Sequence, residues 1–437
     1  MTNRFLTFIL ISFLCTLVII GLFNFIINPY FIFKPIHLQN INTTKPVIQK
    51  NTRLAKTYML QRIQPKTLII GNSRVDIGLD PESSFLPTQY KPAFNLGLPG
   101  TSIYSQYRYI QHATTKRTLP NTIILGLDFE NFFTSPENIQ NFIDINSNKA
   151  FEKRLNVNYS GETNIRQHKQ VIKDIAISTL SNSATIDSFK TILSKKERTI
   201  TKLGFSSGKL RFKSETENKG YYSTFKDVTK NYTNQLDKKL FFLEQLDKNL
   251  ISPNSDKFNF LKEILDHSKE NKIQLILLIL PNHAFIYEIR SRYGLWNDFE
   301  IWKQEIIKLV KEFNVNNNKP TVVWDFAYYN KYTTENMPKQ NDTVNKMSWF
   351  WEPIHFKKEL GNLVLKSIFS VSKEKVGVKI SSDNICNHLQ KIRAEKKKYR
   401  KNKIEQIKLL ELMISTPKTS APDSRKNQES INCKPSG

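Results

Sequence analysis

With 437 residues, 39 % of them hydrophobic and 24 % charged, the chain is long enough for one large domain with insertions or for two, and too apolar to be disordered throughout. The 65 Lys and Arg against 39 Asp and Glu leave a formal charge of +26, which favours anionic surroundings (lipid, acidic glycan or nucleic acid) and does not bear on fold. Only Cys15, Cys386 and Cys433 are present; a Cys386–Cys433 bridge can form, but a disulfide scaffold for the main domain is excluded.

Residues 5–27 are almost wholly apolar, with no charge between Arg4 and Lys34. As a helix they extend roughly 34 Å, enough to cross a bilayer with slight tilt. A cleaved signal peptide would carry a shorter apolar run closed by a small-x-small site, whereas this run ends in Ile26-Ile27-Asn28-Pro29-Tyr30. Residues 1–30 therefore read as a retained signal anchor with membrane lipid as its partner, the bulk of the chain lying on the non-cytoplasmic side. Residues 31–64 read as a membrane-proximal segment, part helix and part linker.

Beyond residue 65, runs of branched apolar residues closed by turn signals predict strands over 67–71, 93–97, 122–127, 273–280 and 321–325. Helical patterns fall between them, over 103–116, 256–272, 298–314 and 357–369. Such alternation predicts βαβ crossovers and a three-layer α/β domain over 65–370, its parallel sheet covered on both faces. About 135–253 breaks the rhythm, being polar and too long for a plain loop. It reads as a helical insertion between the third and fourth strands, either a substrate wall or lid or a peripheral excursion. From about residue 371 to 437 the sequence is expected to leave the domain. Its Lys/Arg-rich stretch, densest at Lys396-Lys397-Lys398-Tyr399-Arg400-Lys401, reads as a basic helix on an anionic surface or as a solvated tail, with a disordered end.

In a parallel α/β sheet, ligands gather outside the carboxyl ends of the strands. The first strand stops at Gly71-Asn72-Ser73-Arg74, where the glycine permits a sharp turn that would project Ser73 from the sheet edge. A serine hydroxyl needs an adjacent base to become a nucleophile, and the base needs an orienting acid. Trp351-Glu352-Pro353-Ile354-His355-Phe356 offers both, a carboxylate three residues ahead of a histidine. The competing readings are a serine that caps a turn and a structural Glu–His pair at a helix start. The second strand ends in Asn95-Leu96-Gly97, where Gly97 would let substrate reach a backbone N–H. The third is followed by Asp128-Phe129-Glu130-Asn131 and the fourth by Pro281-Asn282-His283. No Cys-x-x-Cys and no paired-histidine helix occurs, so neither a metal site nor a cofactor is signalled.

Taken together, these blocks resemble the SGNH (GDSL-like) hydrolase and acetyltransferase superfamily over about 67–127 and 273–369, in the same order. The resemblance implies a flavodoxin-like parallel sheet with Ser73 as nucleophile, His355 as base and Glu352 as orienting acid, where the family usually has Asp. It also implies an oxyanion hole that includes the N–H of Gly97. The family's third block carries Gly-x-Asn-Asp, but Gly126-Leu127-Asp128 lacks that asparagine, leaving Asn131 as the candidate substitute. Arg74, His283 and Asp128 are candidate substrate contacts. The chain looks most like membrane-anchored bacterial members that face the periplasm, several of which O-acetylate envelope polysaccharide. That implies a single-pass inner-membrane esterase or O-acyltransferase acting on an envelope or lipid-linked glycan, with a membrane protein as acyl donor. The rival expectation is an inactive envelope protein of the same fold that binds glycan or assembly partners. The strand ends carry no RNA- or DNA-binding motif, which argues against nucleic acid as a partner.

Overall fold

The computed structural model describes residues 2–414 apart from 40, 116–118, 135–148, 195–199, 207, 209–211, 246–249, 343 and 371–375. At the amino end, the unbroken apolar run forms helix α1 (Thr2–Ile27), of which Arg4–Ile27 is long and apolar enough to cross a membrane. Its last carbonyls, which a helix leaves open, are capped by side chains. Asn42 Nδ2 donates to Ile26 O (3.1 Å) and Lys45 Nζ to Ile27 O (2.5 Å). Helix α2 (Thr52–Arg62) follows and buries Ala55, Lys56, Met59 and Leu60. Of the segment 31–64, the helical part thus belongs to the core of the domain.

Five strands form a parallel sheet: β1 (Thr67–Gly71), β2 (Ala93–Gly97), β3 (Thr122–Leu127), β4 (Gln274–Ile279) and β5 (Val322–Asp325). Every residue of β1, β2 and β3 is buried, which is why they read as continuous apolar runs. A sixth strand, β6 (Val378–Ile380), adds antiparallel to β5, giving the order β2-β1-β3-β4-β5-β6. The chain runs outward from β1 to β2 and then crosses back to β3, so the strand order reverses beside the end of β1. That is where Gly71-Asn72-Ser73 lies.

Helix α3 (Ser73–Gly78) follows β1, and α4 (Ile103–Thr114) follows β2. The region expected as a helical insertion holds α5 (Ala150–Lys153), α6 (Gln167–Leu180), α7 (Asn182–Leu193) and α8 (Ser214–Gln245), the last kinked at Gly220. Among the described residues, the remaining α-helices are α9 (Asp256–Glu270), α10 (Ala284–Arg292), α11 (Trp296–Asn314), α12 (Lys358–Phe369), α13 (Ile385–Asn402) and α14 (Ile404–Glu411). Helix α4 packs on α9 and α9 on α11, while α3 packs on α12.

The carboxyl-terminal boundary expected at 371 is corrected. β6 extends the sheet, and α13 buries Ile385, Leu389 and Ile392 against the domain. Its basic residues find partners inside the molecule: Arg393 binds Glu300, Arg400 binds Glu288 (2.9 Å) and Lys396 Nζ lies 3.7 Å above the ring of Trp296. Asp325, at the end of β5, receives Lys303 Nζ (2.6 Å) and His388 Nε2 (2.8 Å), with all three side chains buried. Much of the basic stretch therefore serves to dock α13, because a buried carboxylate must be paired. Cys386 is disulfide-bonded and Cys15 is a free thiol; residue 433 and the expected disordered end lie outside the described residues.

Candidate active site

β1 ends at Gly71, and Asn72 holds an extended backbone before α3 begins at Ser73. Asn72 caps the helix, its Oδ1 accepting from Arg74 N (3.0 Å), while its Nδ2 donates to Asp128 Oδ2 (2.5 Å). Arg74 is buried, pairs with Asp128 and also donates to Asn282 Oδ1 (3.1 Å). Arg74 and Asp128 thus brace the turn that carries Ser73, rather than standing free for a substrate as expected. As the first residue of α3, Ser73 has an N–H with no acceptor inside the helix.

The histidine arrives on a short clamped loop. An antiparallel bridge joins Phe350 to Phe356, and Trp351 N donates to His355 O (3.0 Å). Glu352 is almost fully buried and accepts from the backbone N–H of Ile354 (2.8 Å) and of His355 (3.1 Å). His355 Nδ1 donates to Glu352 Oε1, which fixes the tautomer because an ionised carboxylate can only accept. His355 Nε2 is then left to accept from Ser73 Oγ at 2.7 Å. Residues 282 positions apart therefore form one relay of hydroxyl, imidazole and carboxylate.

Two close backbone approaches produce this meeting. A Cβ on Gly361, in α12, would fall 1.7 Å from Gly78 O, and one on Gly78 would strike the ring of Phe356. The helix bearing the serine and the segment bearing the histidine are therefore in backbone contact. From the insertion, Phe212 packs its ring 5.1 Å from that of His355 and stacks on Trp351. The insertion thus reaches the histidine through Phe212.

Of the oxyanion donors expected from sequence, the single N–H of Gly97 is taken, and Asn131 has one of its two amide N–H groups engaged. Gly97 N donates to Asn95 Oδ1 (2.8 Å), and Gly97 O accepts from Lys56 Nζ (2.7 Å). Asn131 Nδ2 donates to Thr101 O (3.1 Å). Gly97 instead lets β2 approach α3, since a Cβ there would lie 2.2 Å from Asp76 N. His283 is fully buried and is no substrate contact. Its Nε2 donates to Glu335 O (2.7 Å), its Nδ1 accepts from Phe285 N (3.3 Å), and its backbone N–H holds Pro353 O (2.9 Å) in the loop that carries His355.

A cavity of about 150 Å³ lies beside Ile354, lined also by Asp128, Glu130, Tyr232, Lys239 and Arg290. Burial raises the Asp128 carboxyl to about 6, against the pull of Arg74. Burial opposes ionisation of Glu130 too, but Arg290 overcomes it and holds that carboxyl below the ordinary range.

Sequence reading missed a second group that positions the site. Lys56 Nζ, wholly buried, donates to Asp76 Oδ1 (2.6 Å) and to Asn95 Oδ1 (3.2 Å). Asn95 Nδ2 in turn holds the carbonyls of Val75 (2.8 Å), within α3, and Leu79 (2.7 Å), just past its end. Burial pushes the Lys56 ammonium down and the Asp76 carboxyl up, and their mutual attraction offsets part of both shifts. A signal was present: a polar residue inside an apolar strand, such as Asn95, is costly unless bonded and so marks a network. Neither the protein-family models nor the curated proteins compared with this chain include a match.

Proposed function

We propose that the chain is a membrane-anchored serine esterase or O-acyltransferase of SGNH-like type, acting on acyl groups of an envelope or lipid-linked glycan from the periplasmic side of the inner membrane. The observation that supports it is the Ser73–His355–Glu352 relay at the point where strand order reverses. In this mechanism His355 Nε2 takes the Ser73 proton as Oγ attacks the ester carbonyl carbon. The tetrahedral intermediate then collapses, the alcohol leaves with the proton from Nε2, and the acyl group stays on Ser73. Water activated by His355 releases a carboxylate, whereas a sugar hydroxyl makes a new ester. Glu352 holds the ring and stabilises the imidazolium. Ser73 N–H faces the developing oxyanion, and a full hole needs a further donor. A membrane protein is the proposed acyl donor for the transferase branch, and α1 the contact with lipid.

A second reading, a non-catalytic envelope protein that binds glycan or assembly partners, is favoured by one observation: the N–H of Gly97, expected in the oxyanion hole, is taken by Asn95 Oδ1. A fluorophosphonate probe on the full chain separates the two without knowledge of the substrate. On the catalytic reading the probe labels Ser73, labelling vanishes in Ser73→Ala, and p-nitrophenyl acetate turnover falls by about three orders of magnitude or more. Equal turnover by wild type and Ser73→Ala overturns it, and an unlabelled wild type supports the second reading.

A further inference from the structure

Helices α6 and α7 form a hairpin that packs along the exit end of α1. Its inner face is polar. Asn24 of α1, fully buried, donates to Thr179 O (2.7 Å) and Thr185 Oγ1 (2.9 Å) and accepts from Ser188 Oγ (2.8 Å). At the base of the hairpin, Tyr58 donates to Asp174 (2.8 Å) and Tyr30 to Asp187 (2.9 Å), while Arg154 pairs with Asp174 (2.5 Å).

The outer face is the reverse. Ile172, Ile175, Ile177, Ile186 and Leu193 are each between 40 and 76 % exposed. Between Lys173 and Lys190 the charged residues are Asp174, which is buried, and Asp187, which is bonded to Tyr30 and Lys190. A soluble hairpin buries its apolar side and shows its polar side; this one does the opposite, which is the arrangement that hydrocarbon surroundings select.

The depth also agrees. A Cβ on Gly21 would stand 3.3 Å from the side chain of Leu180, at the hairpin tip, and Phe23 packs on Phe189 with ring centroids 5.1 Å apart. Gly21 lies six residues before the end of α1, about 9 Å along the axis, close to the depth at which interfacial helices seat themselves. The exposed face is continuous with α1, whose own apolar surface is uncovered.

We infer that the α6–α7 hairpin is a wedge seated in the leaflet on the domain's side of the membrane, its outer face covered by lipid acyl chains. The inference rests on the reading of α1 as a membrane span. A single span leaves a domain free to tilt and swivel; a wedge bonded to that span through Asn24 fixes the attitude of the domain, and with it the height of Ser73 above the lipid.

Depth-dependent quenching in phosphatidylcholine nanodiscs tests this on the full chain. An environment-sensitive thiol label goes on native Cys15 or, in a Cys15→Ser background, on Ile177→Cys, Ile186→Cys or Lys169→Cys; Cys386 is disulfide-bonded and does not react. The expected result is blue-shifted emission at Ile177→Cys and Ile186→Cys that is lost with lipids brominated near the head group. Cys15 loses emission with deeply brominated chains, and Lys169→Cys, at the base, is insensitive to either. Hairpin labels that stay water-like while Cys15 is quenched overturn the wedge and leave the span standing. Labels that are blue-shifted but insensitive to bromine show a second protein copy on this face, and also overturn it. A Cys15 label insensitive to bromine removes the span itself, and the wedge with it.

Discussion

Glu352 has one methylene more than an aspartate would, and the loop uses that length. The carboxylate folds back to accept two backbone N–H groups while still holding His355. Glu352→Asp is expected to shorten this reach and slow fluorophosphonate labelling of Ser73 without unfolding the chain; an unchanged labelling rate would show that the carboxylate does not orient the ring. His283 illustrates the opposite case, a polar residue after a strand that does structural work. Both ring nitrogens are bonded in the neutral form, and burial lowers its pKa from the ordinary value near 6.5 to about 4. In that window the unfolded chain binds a proton that the folded chain does not. Stability therefore falls as pH drops from about 6.5 to about 4, by about 3 kcal/mol in all. Denaturant unfolding should show this slope in wild type and not in His283→Gln; parallel curves would mean that the ring is not held neutral. The serine, the histidine and the glutamate were legible because each lies in a short motif whose chemistry is local. The role expected of Gly97 was not, since an amide N–H is free or engaged according to a neighbouring side chain, here Asn95.

Among the elements, the five predicted strands form with their ends within one residue of expectation, because fully buried parallel strands leave an uninterrupted apolar trace. The helix expected within 31–64 forms as α2, but its place in the core was hidden, since Lys56 and Thr57 interrupt its apolar pattern and are buried only through specific partners. Replacing Lys56 by Met leaves Asp76 buried without its partner and is expected to cost about 3–5 kcal/mol. Adding Asp76→Asn should recover part of that loss in thermal denaturation, and strictly additive losses would deny the pairing. The contact of α3 with α12 is a property of two backbones. Gly361→Ala puts a Cβ against Gly78 O, and overpacking of this kind costs about 1–3 kcal/mol or more. Because the strain falls between Ser73 and His355, labelling of Ser73 should decline more than the melting temperature does. An alanine variant that labels at the wild-type rate would show that this contact does not set their distance.

At the scale of the whole molecule, the chain closes on itself: α2, near its amino end, braces the helix that begins at Ser73, and β6 with α13 seals the far edge of the sheet. Ending the chain at residue 370 would strip β5 of its antiparallel partner and leave Asp325 without His388. An open sheet edge invites pairing with other chains, so such a truncation is expected to aggregate; a monodisperse product with the wild-type melting temperature would refute a structural role for the tail. By itself the sequence determined the apolar amino-terminal helix, the α/β alternation and the three residues of the relay, because each is written in local composition, periodicity or spacing. Only the tertiary structure decided that a serine and a histidine 282 residues apart meet, that the Gly97 N–H is occupied by Asn95 and that the basic tail docks on the domain. Those outcomes depend on which buried polar group finds which partner. That choice is made by packing across distant segments, where an unpaired charge or amide costs more than any local preference can supply.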